Sequence, residues 1–180
     1  MNKSVASGLA VVGLFLGASL TPATPALAQA NLTGRALVDV CLPYANRTLS
    51  FERAIRAARD LEFRRPADQR SEPIEEYASE IDLVSRDGRW RIRLEEGSVE
   101  YGDSEVYAVT CSLSSINASA NTLGDLGRRA FNNESYWSTE DGAPRQWERL
   151  GRNPEERRLQ VEVVETPGER PALRIRGLYF

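Results

Sequence analysis

At 180 residues, with 23 basic and 26 acidic side chains and a net charge of −3, the chain has the length of one domain and a mildly acidic balance, which argues against nucleic acid and anionic membrane surfaces as general partners. It contains no histidine, and Lys3 is its one lysine. Past an N-terminal export segment there is neither imidazole nor amine, so any catalysis would rest on carboxylates, hydroxyls, phenols, a thiol or guanidinium groups, whose ordinary pKa values mostly lie far from neutrality.

That export segment covers residues 1–28. Lys3 gives a basic start, Ser7 to Leu20 is apolar, and Ala26-Leu27-Ala28 ends the segment in a small-x-small cleavage pattern before Gln29. As a helix the apolar run is about 20 Å long, short of the roughly 30 Å of hydrocarbon in a bilayer. No run of eighteen apolar residues follows Ala30, so no transmembrane segment is expected after cleavage. Cys41 lies too far past the cleavage site to be a lipidation cysteine. The expected location is periplasmic or secreted, with residues 29–180 forming a single α+β domain.

Thr33 is placed to cap a first helix with Leu37, Val38, Cys41 and Tyr44 at helical spacing, bent or ended by Pro43. Ser50 caps a stronger one, whose stripe is Phe51, Ala54, Ile55, Ala58 and Leu61. Residues 64–76, with Pro66, Pro73 and many charges, form a polar surface loop. Alternation then takes over. Ile81 and Leu83, the turn Asp87-Gly88, and Trp90, Ile92 and Leu94 predict a β-hairpin. Val99 and Tyr101 suggest a short separate strand, and Val106 to Leu113 a central one with Tyr107, Val109 and Cys111 on one face.

Thr122 with Asp125 predicts the start of a third helix, carried by Leu123, Leu126, Ala130 and Phe131, in which Gly127 allows close packing. Strands follow at Gln146 to Leu150, Leu159 to Val164 and Leu173 to Tyr179, the last two joined by a Pro167-Gly168 turn. This order predicts an α+β fold: an antiparallel twisted β-sheet of five to six strands with two to three α-helices packed on one face. The other face is expected to be polar, because Arg91, Arg93, Gln160, Glu162, Arg174 and Arg176 fall opposite the buried positions.

Two cysteines in an oxidising compartment predict one disulfide, Cys41 to Cys111, tying the first helix to the central strand. A redox-active pair would want closer spacing, and a zinc site lacks the remaining ligands. No spaced acidic loop for calcium, no phosphate-binding loop and no Gly-x-Ser-x-Gly is present, so neither a metal nor another cofactor is expected. The acid pairs Glu75-Glu76, Glu95-Glu96, Glu140-Asp141 and Glu155-Glu156 leave open a carboxylate-dependent hydrolase acting on cell-wall glycan, although neighbours on a strand face opposite ways.

Two surfaces are candidate binding sites. Tyr136, Trp137 and Trp147 place amphipathic aromatics around a polar loop, where they would contact a protein or glycan or else anchor the loop to its own core. Arg91, Arg93, Arg174 and Arg176 would clamp an anion if their strands were neighbours, or pair with Glu95 and Glu162 as ordinary surface charges. The expectation is an exported, non-catalytic binding or interaction module of the bacterial cell envelope, with an accessory or inhibitor-like role and an envelope protein or polymer as partner.

Overall fold

The structure, a computed structural model, describes residues 32–70, 78–131, 137–138, 145–150, 153 and 156–180. Helix α1 joins a π-helical stretch, Ala36–Cys41, to an α-helical turn, Leu42–Ala45; α2 is Phe51–Asp60 and α3 is Ala120–Phe131. The strands are β1 (Glu80–Val84), β2 (Trp90–Tyr101), β3 (Ser104–Ser115), β4 (Trp137–Ser138), β5 (Gln146–Leu150), β6 (Arg157–Val164) and β7 (Ala172–Tyr179). They form one antiparallel sheet in the order β1-β2-β3-β7-β6-β5-β4. Six are full strands and β4 adds two residues at the edge, so the α+β class, the one-sided helix layer and the Cys41–Cys111 disulfide all stand as the sequence predicts.

Register explains why the helices cover only one side. Ile81, Leu94, Cys111, Ile175, Val161 and Trp147 stand opposite one another across six strands, and all six are buried. Because side chains alternate along a strand, this row and its neighbours at Leu83, Ile92, Leu113, Leu173 and Leu159 form a continuous apolar face. α1 lies over β3 and β7, α3 over β6 and β7, and α2 packs on α1. The disulfide fixes α1 to β3 with the two Cα atoms 5.1 Å apart. Ser50 caps α2 as expected, its backbone extended and its Oγ accepting from Arg53 N–H at 3.4 Å. The outer edge of β1 is closed at Val84 by a paired bridge to Arg64, so the segment starting at Arg64 is tied to the sheet before it turns away.

Several local expectations are corrected. Residues 32–35 are already helical and run straight into α1, so the buried Thr33 lies within a helical run instead of capping one. Leu42 N–H bonds back to the Leu37 carbonyl across five residues, and this widened turn lies just before Pro43, whose ring would crowd a regular helix at the carbonyl four residues earlier. The wider turn also shifts the buried set to Ala36, Leu37, Val40, Cys41, Tyr44 and Ala45, leaving Val38 51% exposed. α3 begins earlier than predicted because Ser119, not Thr122, supplies the capping oxygen, accepting from Thr122 N–H at 3.3 Å. Gly127 allows the close packing foreseen for it: a Cβ there would stand 2.8 Å from the Trp147 ring.

Val99 and Tyr101 do not form a separate strand; β2 runs unbroken from Trp90 to Tyr101 and pairs with β3 along its whole length. Nor is the uncovered face polar throughout. Its middle carries the charges, with Arg93 bound to Glu80 and Glu95 at 2.8 and 3.0 Å, and Arg174 near Glu162 at 3.6 Å. Toward the β2–β3 hairpin tip the same face buries Val106, Ala108 and Leu178, with Val99 and Tyr101 against them.

Candidate functional site

The end of the sheet that holds the hairpin tip and the C-terminus gathers aromatic rings and arginines from four parts of the chain. The construction begins at α1. Gly177 lets its last turn settle onto β7: a Cβ at that glycine would lie 2.0 Å from the Ala45 carbonyl oxygen. Tyr179, two residues on and facing the same way, donates its hydroxyl to that oxygen at 2.7 Å. Asn46 then ends the helix, and Arg157 from the start of β6 donates to the Asn46 backbone and side-chain oxygens. The next residue, Arg47, adopts φ 56°, a left-handed conformation that usually falls to glycine after a helix and costs a larger residue about 1 kcal/mol. Arg47 N–H to the Tyr44 carbonyl at 2.8 Å and Thr48 N–H to the Pro43 carbonyl at 2.9 Å hold it there.

This strained position sets the Arg47 guanidinium over two rings, 5.5 Å from the Tyr107 centroid and 5.2 Å from that of Tyr179. Arg157 stands 5.7 Å from the Tyr179 ring. Because Arg157 and Arg158 are neighbours on β6, they serve opposite faces of the sheet. Arg158 stands 5.7 Å from both the Tyr101 and Phe180 rings, donates to the Tyr101 hydroxyl at 2.8 Å, and lies beside an edge-to-face Tyr101–Phe180 pair. Energetically significant contacts of this kind occur about once per 70–80 residues, so three arginines sharing four rings at one corner is a concentration that calls for a reason. Phe180 is 50% exposed and Tyr107 36%, which leaves aromatic surface available to a partner.

Beneath the rings Tyr107 donates to Glu96 at 2.8 Å. Burial first, then Glu96, raises the phenol of Tyr107. Burial also raises Tyr179, against the opposing effect of Arg157 and Arg47. Tyr44, wholly buried, is pushed far above the usual tyrosine range by burial and then by the Glu96 charge. These phenols therefore keep their protons at neutral pH; Tyr107 and Tyr179 serve as hydrogen-bond donors, while the buried Tyr44 hydroxyl has no hydrogen-bond partner among the described residues. Glu96 faces this cluster while Glu95 binds Arg93 on the other side of the sheet, so this acid pair does not converge on a substrate. Among the described residues, no three potential metal ligands of the His, Cys, Asp or Glu type come together, and no helix is long and apolar enough to cross a membrane.

The residues singled out from sequence stand elsewhere. Trp147 is 2% exposed and lies under α3 as part of the core, so its indole offers no contact area. Trp137 occupies β4, in register with Glu148, and Tyr136 falls outside the described residues. β3 runs between β2 and β7 and separates Arg93 from Arg174 by about 10 Å of sheet; Arg91, Arg93 and Arg174 each have an acidic neighbour, whereas Arg176 has none within ion-pair distance among the described residues and its buried Nε has no hydrogen-bond partner. The corner was missed because its members are far apart in sequence; the available signals were the terminal Tyr179-Phe180 and the adjacent pair Arg157-Arg158, which had to face both sides of a strand. No protein family, no curated protein and no solved structure matches this chain.

Proposed function

We propose that this protein is an exported, non-catalytic interaction module of the bacterial cell envelope and that it engages an envelope protein or polymer through the corner formed by Arg47, Tyr101, Tyr107, Arg157, Arg158, Tyr179 and Phe180. The observation that carries the reading is Arg47: the chain holds a bulky cation in a backbone conformation suited to glycine, and the side chain so placed lies across two half-exposed tyrosines. Tyrosine and arginine are enriched among the residues that dominate interface energies, since each combines broad apolar contact with a directed hydrogen bond. The disulfide supports an oxidising compartment, and the absence of histidine supports binding over turnover.

Arg47→Gly separates binding from folding, because glycine relieves the backbone strain while removing the cation. Its stability is expected to stay within about 1 kcal/mol of the parent. Retention on purified sacculi and on cross-linked envelope protein should fall about tenfold or more for Arg47→Gly and for Tyr107→Ala. Retention unchanged in both would reject the corner, and loss confined to Tyr136→Ala with Trp137→Ala would return the site to the loop. Turnover of any glycan in a substrate panel, abolished by a single Glu→Gln change, would replace the proposal with a carboxylate hydrolase.

A further inference from the structure

At the other end of α1 from Arg47, the first turns of that helix, the α3 helix and Trp90 enclose a half-open cavity of about 390 Å³. That is within the usual range of small-molecule sites, roughly 300–1,000 Å³. Its walls are apolar, formed by Val38, Trp90, Leu126 and Ala130, and its polar groups include Thr122 and Arg129. The π-helical stretch shapes one wall: on a regular helix Val38 belongs to the inward stripe, and the widened turn delivers it instead to the cavity rim, 51% exposed. Such turns are rare and recur at functional sites. Arg129 is the cation of the lining; it donates Nε–H to the Asp125 carbonyl at 3.2 Å, and no carboxylate among the described residues lies within ion-pair distance of it.

We propose that this cavity binds a small monoanionic amphiphile, with an aliphatic or aromatic body against Trp90, Leu126 and Val38 and a carboxylate or sulfonate at Arg129. The site stands apart from the corner at the far end of α1 and does not depend on it. A carboxylate matches the fork of a guanidinium, and an apolar body removes from water four side chains that are otherwise partly wetted.

The test uses purified protein with the Cys41–Cys111 disulfide formed and a dansyl-labelled undecanoate as fluorescent probe, displaced by decanoate, decanol or decyltrimethylammonium. Saturable binding of one probe per chain is expected, with decanoate displacing it at least about tenfold better than either competitor. Arg129→Gln should erase that preference, and Ala130→Phe, which fills the cavity, should weaken every ligand about tenfold or more. Val38→Trp fills it from the opposite wall and provides the same test if Ala130→Phe does not fold, with the urea midpoint reporting folding. Absence of saturable binding, as when the chain's own residues fill the space, overturns the site. Equal binding by both filled variants overturns it too, and equal displacement by the alcohol or the ammonium overturns the anionic head.

Discussion

Replacing Gly177 by alanine tests how closely α1 is seated on β7. A methyl group there would stand 2.0 Å from the Ala45 carbonyl oxygen, whereas a carbon and an oxygen in contact need about 3.3 Å. The last turn of α1 must then retreat by roughly 1.3 Å, which stretches the 2.7 Å bond from Tyr179 beyond hydrogen-bond length. Crowding costs about 1–3 kcal/mol and the lost bond about 1 kcal/mol, while replacing a strand glycine returns about 0.5–1 kcal/mol. The net expectation is a loss of about 1–3.5 kcal/mol, or roughly 2–14 °C in Tm for a domain of this size. Urea unfolding with an unchanged m value measures it. Gly97 on β2 supplies the control, since a Cβ there meets nothing within 4 Å, and Gly97→Ala should be neutral or slightly stabilising. A Gly177→Ala loss below about 0.5 kcal/mol, or equal shifts in the two variants, would refute the close seating.

Two further outcomes follow from the same structure. Cys41→Ala combined with Cys111→Ala opens a link spanning 70 residues and should cost about 4 kcal/mol in the chain-entropy account, with the urea midpoint of the parent, but not of the double variant, responding to reductant; a difference under about 1 kcal/mol would contradict it. Tyr44, Tyr107 and Tyr179 hold their protons more tightly when folded than when unfolded, so the stability they contribute is complete below pH about 10 and is lost as pH rises beyond it. Each tyrosine ionised only in the unfolded chain adds a slope of about 1.4 kcal/mol per pH unit, and Tyr44→Phe should remove one such slope in urea midpoints measured from pH 9 to 11; an unaltered slope would be evidence against the buried cluster.

What the sequence revealed depended on period. The apolar faces of β1, the first half of β2, β6 and β7 were visible because those stretches alternate, and α2 because Ser50 precedes a stripe of full helical spacing. β2 looked broken because Glu95, Glu96, Gly97 and Ser98 interrupt the alternation; what keeps it whole is tertiary, with Glu96 receiving the Tyr107 hydroxyl and Gly97 opposite Ala108. Val38 was assigned to the core because a 3.6-residue period was assumed where the helix takes a wider turn. The corner joins residues 47, 101, 107, 157, 158, 179 and 180, and such a constellation becomes visible only after the sheet order is known. Trp147 shows the converse, since a tryptophan beside a polar loop resembled a contact residue and is the packing partner of Gly127.

The sheet order also constrains how the molecule can assemble. β7 is the last strand in sequence order among the described residues, yet it lies between β3 and β6, and its backbone pairing joins the meander β1-β2-β3 to the block β6-β5-β4. A chain delivered N-terminus first can close its Cys41–Cys111 link and zip its early hairpin, but the two halves of the sheet have no seam until the final eight strand residues arrive. β7 thus acts as a keystone: whatever the first three strands and the Cys41–Cys111 link have already formed, the sheet becomes one layer only when those eight residues pair on both sides.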